Sequence, residues 1–271
     1  MNEAANSSLL RTAANPNEPN PARVYDALLG GKDNYAADRA VADKLAEAKP
    51  ALRPNVRANR AYLGRVTRFL ATQAGIRQFL DLGTGLPSLD NTHEVAQRAA
   101  RDSRIVYVDN DPMVTAHARA LLTSTPEGQT WYIEDDLRNP GEILAAAEIL
   151  DLTRPVGLIL VAVVHFLPSQ PESASIVRTL LEALPAGSHL VMSCATTDFL
   201  TPELAANWDE SLRTGRSDVY PRTRAEFDEF FTGLEVVAPG VVAVSEWRPD
   251  PQAAETATPV EASIFGAVGR V

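Results

Sequence analysis

The spacing of hydrophobic and polar positions changes near residue 76. From Asn55 to Ala74, apolar residues recur at helical spacing and leave several arginines off the apolar face, which predicts a long amphipathic helix. From Ile76 onward, short apolar runs alternate with helix-like segments, a pattern typical of an open parallel sheet covered by helices. We therefore predict an α/β fold with a Rossmann-like, doubly wound and mostly parallel sheet.

Five apolar runs predict the parallel strands, and helix-like segments follow the first four of them. The strands are predicted at Gln78–Leu82, Ile105–Asp109, Thr130–Glu134, Val156–Val164 and Leu190–Cys194. The helices are predicted at His93–Arg101, Pro112–Leu122, Glu142–Leu150 and Glu172–Leu184. The fourth run is apolar throughout, as expected of a strand covered on both faces.

The C-terminal part breaks this alternation. A capping-box pattern at Thr223–Glu226 predicts a helix that continues through Phe231. Two strand-like runs, Leu234–Ala238 and Ile264–Val268, then follow, with a Pro- and Ala-rich loop at Arg248–Pro259 between them. Because no helix separates these runs, they predict an antiparallel pair that closes one edge of the sheet.

The same changes of pattern divide the chain into three predicted parts. Residues 1–21 are rich in Asn, Ala, Pro and Ser without an apolar period, so we expect a disordered lead-in there. Residues 22–75 are predicted to form an N-terminal helical cap. Residues 76–271 are predicted to form the Rossmann-like domain.

Composition narrows the classes of function. The formal net charge of −10 disfavours general binding to nucleic acid or to anionic membranes. The single cysteine, Cys194, excludes an internal disulfide and a cysteine-based zinc site, and we expect no metal. No signal-peptide pattern or membrane-length apolar run occurs, so we expect a cytoplasmic protein with no membrane or nucleic-acid partner.

The strongest chemical signal follows the first predicted strand. Asp81 lies near the end of the strand, and Gly83, Thr84 and Gly85 form a glycine turn that lets the backbone approach a ligand closely. Asp109 ends the second strand 24 positions after Gly85, near the offset of about 20 at which an acid binds ribose hydroxyls. The pattern therefore indicates a nucleotide-type ligand at the carboxyl ends of the strands.

Two classes of cofactor compete for this turn. The dinucleotide site of an NAD-dependent oxidoreductase needs a third glycine, where this chain has Ser88. Asp81, two residues before the first glycine, suits a cationic ligand better than a pyrophosphate, which binds backbone N–H groups away from negative charge. S-adenosylmethionine is such a ligand, because it carries an ammonium and a sulfonium group.

The ordered motifs resemble those of class I S-adenosylmethionine-dependent methyltransferases. Within that superfamily, the chain is similar to an actinobacterial methyltransferase family formerly classed as a domain of unknown function. The cofactor motifs are Asp81-x-Gly83-x-Gly85, Asp109 and Asp135-Asp136-Leu137. The other hallmarks are Ala22–Asp26, Leu29–Tyr35, Asn55–Arg60, Asn91–Gln97 and Val161–Phe166, and the resemblance covers residues 21–271.

The resemblance implies roles at the methionine and ribose end of S-adenosylmethionine. Asp81 should lie near the methionine amino group. The turn with Gly83 and Gly85 should pass under the cofactor. Asp109 should bind the ribose hydroxyls.

At the adenine end, the resemblance implies a second set of contacts. Asn110 should flank the adenine, and the Leu137 N–H should lie near the ring. Asp135 or Asp136 should accept a hydrogen bond from the adenine amino group. Sequence does not separate these two acids, although we favour Asp136.

The end of the fourth strand should border the reaction centre. Ala162 and His165 belong to this segment, and His165 is the best candidate for a general base, because an unperturbed imidazole takes protons near neutral pH. A histidine that only packs against the cofactor or hydrogen-bonds to it is the alternative. Val163–Phe166 lacks the Asn/Asp-Pro-Pro-aromatic motif of enzymes that methylate nucleobase nitrogens, which favours a small-molecule acceptor.

Two further segments are candidates for closing the site. A polar loop at Gly30–Asn34 suits a lid hinge, and it makes Tyr25, Lys32, Asn34 and Tyr35 candidate lining residues; a plain helix–helix turn is the alternative. The stretch from Thr196 to Arg222 follows the fifth strand, where such folds usually build a substrate wall. Its candidate wall residues are Asp198, Phe199, Trp208, Arg213, Arg216 and Tyr220.

The sequence therefore predicts a methyltransferase that uses S-adenosylmethionine and acts on a small-molecule acceptor. A sensor or accessory protein that binds S-adenosylmethionine without catalysis is the main alternative, and an NAD-type oxidoreductase is a weaker one. The sequence specifies neither the acceptor nor the oligomeric state.

Overall fold

The computed structural model describes residues 15–88, 90–251 and 257–271. Residues 1–14 of the predicted lead-in and residues 252–256 of the predicted C-terminal loop lie outside this description. The strands are β1 (Gln78–Leu82), β2 (Arg104–Asp109), β3 (Gln129–Glu134), β4 (Gly157–Val161), β5 (His189–Ala195), β6 (Glu235–Val236), β7 (Val242–Ala243) and β8 (Ile264–Arg270). They form a single sheet.

The order of strands in the sheet is β3-β2-β1-β4-β5-β8-β6, and β7 also pairs with β8. Strands β1 to β5 are mutually parallel, whereas β8 runs antiparallel to β5 and to its other partners. This confirms the prediction of a doubly wound, mostly parallel sheet with an antiparallel C-terminal edge. Strand β8 lies inside that edge, between β5 and β6.

Ten helices accompany the sheet in the described part of the chain. They are α1 (Pro21–Leu29), α2 (Ala36–Ala48), α3 (Leu52–Thr72), α4 (Thr92–Ala99), α5 (Pro112–Leu121), α6 (Pro140–Ala146), α7 (Gln170–Glu182), α8 (Pro202–Arg213), α9 (Arg224–Glu229) and α10 (Pro259–Ala262). Local chemistry sets several starts: the predicted box of Thr223 and Glu226 caps α9, and Asn91 with Glu94 caps α4. No helix of the described ranges combines the length and the apolar character needed to cross a membrane.

Alternating side chains bury both faces of the sheet. Leu80, Val106 and Leu158 pack on one face in a core shared with α6, α7 and α9. Phe79 and Ile159 point to the other face and pack in a core that includes α3. Because neighbouring residues on a strand point to opposite faces, one short apolar run serves both cores.

The fourth strand is shorter than predicted. It ends at Val161, because Ala162 adopts a left-handed backbone conformation with φ of 56° and the chain then forms a 3₁₀ turn at Val164–Phe166. The apolar run extends past the strand because Val164 is itself fully buried in the core. The prediction of a strand through Val164 was therefore wrong at its carboxyl end.

A buried acid organises the N-terminal helices. Asp38 on α2 accepts hydrogen bonds from Arg23 Nε at 2.7 Å, from the Tyr35 N–H at 2.8 Å and from the Asn20 N–H at 3.0 Å. Burial alone would raise the pKa of Asp38, but these donors outweigh burial and lower it. The predicted boundary at residue 75 stays a prediction, because α3 packs on the sheet as well as on α1 and α2.

Candidate functional site

The order of strands in the sheet reverses between β1 and β4. From β1 the strand order runs outward through β2 and β3, and from β4 it runs outward through β5. In open parallel sheets, ligands bind at the carboxyl ends of the strands where the order reverses. The glycine turn after β1 and the left-handed Ala162 after β4 both lie at this point, so the fold brings the two predicted segments together.

The glycine turn depends on backbone that other residues rarely adopt. Gly83 has φ of 69° and Gly85 has φ of 64°, both in the left-handed region. A Cβ on Gly83 would lie 2.3 Å from Val163 Cγ2, so the turn and the end of β4 approach as closely as glycine allows. A Cβ on Gly85 would meet no heavy atom within 4 Å, which leaves open space over the turn.

Asp109 is fastened to the turn. The Gly85 N–H donates to Asp109 Oδ2 at 2.8 Å, and the Asp111 N–H donates to Asp109 Oδ1 at 3.0 Å. Burial raises the pKa of Asp109, although these backbone donors oppose the rise. An ionised carboxylate has about four lone-pair sites, so Asp109 keeps acceptor capacity for a ligand hydroxyl.

Asp81 is a buried carboxyl group near the same turn. Thr92 Oγ1 donates to Asp81 Oδ2 at 2.6 Å. Burial raises the pKa of Asp81 to about 6; the charge of Asp109 adds to the rise, while the Thr92 hydrogen bond and the nearby Arg60 oppose it. A buried carboxylate that is costly to ionise gains strongly from a cationic ligand.

A cleft opens beside these acids. It is lined by Arg60, Asp81, Thr84, Gly85, Pro87, Asn91, Thr92, Tyr107, Ala118 and Leu122. Arg60 Nη2 donates to Asn91 Oδ1 at 3.2 Å, which ties α3 to the start of α4. The cleft therefore has walls from the N-terminal helices as well as from the sheet.

The acids after β3 differ in their surroundings. Asp135 Oδ1 accepts from the Asp136 N–H at 2.7 Å and from Asn139 Nδ2 at 2.8 Å, so it stabilises its own turn. Asp136 Oδ2 lies 3.4 Å from Asn110 Nδ2, at the tip of the neighbouring strand β2. Leu137 packs against the core. The structure thus brings Asp136 and Asn110 together, although Asp136 also accepts from the Arg138 N–H at 2.9 Å and pairs with the Arg138 guanidinium.

The end of β4 is held in an unfavourable conformation. The left-handed conformation costs a residue with a Cβ about 1–2 kcal/mol, and Ala162 adopts it. The Ala162 N–H donates to Ser193 Oγ at 2.9 Å and to Ser193 O at 3.2 Å. Strained backbone of this kind persists where surrounding contacts fix it, and such positions concentrate at functional sites.

His165 follows in a buried position. The Ala195 N–H donates to His165 Nδ1 at 3.2 Å, which makes Nδ1 an acceptor and places the ring hydrogen on Nε2. Burial lowers the pKa of His165 to about 3, and the nearby Arg222 adds to this effect. A neutral imidazole with its acceptor nitrogen already engaged is a poor general base at neutral pH, so the geometry disfavours the general-base role.

The polar loop after α1 has the geometry of a helix–helix turn. Gly30 ends α1 with φ of 82°. Asp26 Oδ2 accepts from Asn34 Nδ2 at 2.7 Å and from the Asp33 N–H at 3.1 Å. A Cβ on Gly31 would lie 1.9 Å from Asp26 Oδ1. These contacts hold the loop in one conformation and favour the turn over a hinge.

Of the remaining lid candidates, Tyr25 contacts helix α3. Tyr25 Oη accepts from Asn59 Nδ2 at 3.2 Å. Lys32 is exposed, and Tyr35 is 40% exposed with the Arg23 guanidinium 5.2 Å from its ring centroid. Tyr25 is therefore held against α3, whereas Lys32 and Tyr35 are exposed.

Two candidates of the predicted substrate wall, Trp208 and Tyr220, are linked by hydrogen bonds to the segment after β4, Tyr220 directly and Trp208 through Val219. Trp208 Nε1 on α8 donates to Val219 O at 3.0 Å, and the Tyr220 N–H donates to His165 O at 2.7 Å. Lys49 Nζ lies 4.4 Å from the Trp208 ring centroid, and burial lowers the pKa of Lys49 to about 8. Helix α8 therefore connects the N-terminal helices with the turn after β4.

The other candidates for that wall are engaged elsewhere. Asp198 accepts from the Arg224 N–H at 2.8 Å, Phe199 packs on Phe265, Arg213 pairs with Glu210, and Arg216 donates to Thr214. Each of these contacts is made within the C-terminal part of the chain.

Sequence reasoning missed several residues at this site. Thr92, Arg60 and Asn59 lie inside the hallmark motifs Asn91–Gln97 and Asn55–Arg60, which were noted without a role for single residues. Ser193 carried no sequence signal, because it is one serine in a buried strand. Its role appears only through its contacts with Ala162 and Asn59.

Comparison with known proteins identifies close relatives. A family model described as S-adenosyl methyltransferase matches residues 8–271. A DUF574 family protein from Streptomyces avermitilis has 46% sequence identity and a TM-score of 0.86, over 93% of this chain and 97% of that one. A candidate methyltransferase from Thermobifida fusca has 41% identity and a TM-score of 0.82, over 94% of this chain and 95% of that one.

More distant matches concern the fold alone. A structure of S-adenosylmethionine-dependent methyltransferases from Methanosarcina mazei has 10% identity and a TM-score of 0.50, over 72% of this chain and 92% of that one. A search of the curated proteins finds no match to this chain.

The two glycines of the turn predict different costs of substitution. Gly85→Ala should lower the free energy of unfolding by about 1–2 kcal/mol, the cost of a left-handed backbone. Gly83→Ala should cost about 1–3 kcal/mol more, because its Cβ would overlap Val163. Urea unfolding of both variants measures the difference. Equal losses would show that Val163 moves aside freely.

The neutral His165 makes a second prediction. Histidine ring nitrogen NMR, assigned with a His165→Gln variant, should show the Nε2–H tautomer of His165 without titration from about pH 8 to pH 5. Titration of His165 near its ordinary pKa would restore the general-base role.

Proposed function

This chain belongs to the S-adenosyl methyltransferase family, and from that premise we propose that it methylates a small-molecule acceptor. S-adenosylmethionine is the cofactor of the family. The sheet is the Rossmann-like sheet predicted for such an enzyme. The acceptor class and the role of each site residue are the parts of this function that we propose.

Asp81 is the residue that carries the proposal. It is a buried carboxyl group beside a glycine turn at the reversal of strand order, and burial raises its pKa to about 6. A pyrophosphate would be repelled there, whereas an ammonium group would stabilise the ionised carboxylate. The charge therefore supports binding of the methionine end of S-adenosylmethionine.

The room over the turn supports the same ligand. The position of a Cβ on Gly85 is open to 4 Å, so a ligand can lie directly on the backbone there. Asp109 adjoins that space through its hydrogen bond to Gly85 and keeps free acceptor sites for the ribose hydroxyls. Asp136 and Asn110 are adjacent one strand further out, and we propose this pair as the contact for the adenine.

The residues contribute to methyl transfer chiefly through position. When bound, S-adenosylmethionine supplies an electrophilic methyl group, and its transfer to a nucleophile of the acceptor leaves S-adenosylhomocysteine. Asp81, Asp109 and the glycine turn fix the donor, while Ala162 borders the methyl end. Alignment of two reactants alone lowers a barrier by about 7–11 kcal/mol in the best cases.

No proton transfer by His165 is part of this mechanism. Its Nδ1 is engaged by the Ala195 N–H, and its pKa is lowered to about 3. We therefore propose that the acceptor presents a nucleophile that is already deprotonated or neutral with a free lone pair.

The surroundings of the edge support a small acceptor. Lys49 at the end of α2 contacts Trp208 on α8, and we propose that this contact forms part of the wall around the acceptor. The net charge of −10 disfavours a polyanionic substrate such as nucleic acid. A small acceptor between α2, α8 and the turn after β4 would not need an extended binding surface.

Calorimetric titration tests the cofactor site. We expect S-adenosylmethionine and S-adenosylhomocysteine to bind, NAD to give no heat, and Asp109→Ala to weaken binding more than about tenfold, because it removes charge-assisted hydrogen bonds. Glu134→Ala, an exposed acid at the end of β3, is the matched control and should bind like the wild type. Equal losses in both variants would indicate a general charge effect instead of a ribose contact.

The raised pKa of Asp81 predicts a pH dependence. Without a cation beside it, Asp81 is mostly protonated below about pH 6, so a cationic ligand must displace that proton at low pH. The affinity for S-adenosylmethionine should therefore fall as the pH drops through about 6, approaching tenfold per pH unit, and Asp81→Asn should remove this dependence. Affinity that stays constant from about pH 8 to pH 5 in the wild type would contradict the role of Asp81.

A further inference from the structure

Four residues, each from a different segment of the chain, form a continuous chain of hydrogen bonds. The Ala162 N–H donates to Ser193 Oγ at 2.9 Å, and Ser193 Oγ donates to Asn59 Oδ1 at 2.7 Å. Asn59 Nδ2 then donates to Tyr25 Oη at 3.2 Å. We name this set, Tyr25–Asn59–Ser193–Ala162, the cap chain, because it runs from α1 through α3 and β5 to the end of β4.

Every bond of the cap chain has a fixed direction. The Ser193 hydroxyl accepts from Ala162 and spends its one hydrogen on Asn59. The Asn59 side chain accepts through its oxygen and donates through its nitrogen, and the Tyr25 hydroxyl donates onward to Val56 O at 3.2 Å. Burial raises the pKa of Tyr25, so its hydroxyl stays protonated as that donor. No member can be reversed without breaking a neighbouring bond.

The inner members of the cap chain are shielded from water. Ser193 is fully buried and Asn59 is 2% exposed. A buried donor or acceptor left without its partner costs about 1–3 kcal/mol. The bonds therefore depend on one another, because the loss of one member leaves the next without its partner.

One end of the cap chain lies at the methyl-transfer edge. Ala162 has the left-handed backbone there, with φ of 56°, and the hydrogen bond to Ser193 Oγ helps to hold it. The next residue, Val163, lies against Gly83 of the cofactor turn. A change in the backbone of Ala162 would therefore move the contact on which the turn rests.

We propose that Asn59 and Ser193 are positioning residues for the cofactor, because the cap chain couples the docking of α1 on α3 to the backbone of Ala162. This inference rests on the proposed function, since it assigns the cofactor to the edge that Ala162 borders. The cofactor in turn favours the docked position of α1, because coupling between two sites is reciprocal.

The test compares Ser193→Ala and Asn59→Leu with the wild type in two measurements. The first is binding of S-adenosylhomocysteine by calorimetry, where both variants should bind about tenfold more weakly. The second is amide hydrogen exchange of the peptide covering residues 157–167 in the absence of cofactor, where both variants should exchange faster at Ala162. Tyr25→Phe keeps the ring and removes only the outer hydroxyl, so it should show a smaller loss in both measurements.

Tyr62→Phe is the matched control. Tyr62 lies on the same helix α3, is fully buried, and donates from Oη to Ala267 O at 2.8 Å and toward Met192 O at 3.1 Å, and neither bond belongs to the cap chain. It should lower the melting temperature while leaving both the affinity and the exchange at Ala162 unchanged.

The outcomes separate this inference from the proposed function. Weaker binding and faster exchange in the Ser193 and Asn59 variants, but not in Tyr62→Phe, support the coupling. Variants that lose only thermal stability, as Tyr62→Phe does, overturn it. If the wild type binds no S-adenosylhomocysteine, the proposed function fails, and the exchange comparison alone then decides whether the cap chain holds Ala162.

Discussion

The close approach of Gly83 to Val163 is the constraint on which the site depends. Only a residue without a Cβ fits there, so the turn after β1 and the end of β4 are in direct contact at the reversal of strand order. That contact sets the path of the next residues, which brings the Gly85 N–H to Asp109 and leaves the space over Gly85 open. A cofactor cradle follows from two backbone segments packed as tightly as the chain permits.

The charges at this site are matched to a cation. Asp81 and Asp109 are both acids whose pKa values burial raises, and the charge of Asp109 adds to the cost of ionising Asp81. The hydrogen bonds from Thr92 and from backbone N–H groups offset this cost only in part. A ligand with an ammonium and a sulfonium group relieves it. The site therefore favours a ligand that carries positive charge.

The sequence predicted the features that local patterns determine. The parallel strands and the glycine turn follow from alternation and glycine spacing, and the structure confirms the sheet with its antiparallel C-terminal edge. The expectation that no helix separates the two C-terminal strands was wrong, because the short helix α10 and strand β7 lie between β6 and β8. Sequence patterns did not predict the features that depend on contacts between residues far apart in the chain. Ser193 and Asn59 are 134 positions apart, and the state of His165 depends on Ala195, 30 positions away. The end of β4 was misplaced because hydrophobicity does not register the left-handed turn at Ala162.

A crystal structure of the chain with S-adenosylhomocysteine tests the central claim most directly. We expect the adenosine to lie over Gly85, with both ribose hydroxyls within hydrogen-bonding distance of Asp109. We also expect the amino group beside Asp81, with Gly83 still against Val163. A ligand that lies away from the glycine turn, or that contacts neither acid, would contradict the account.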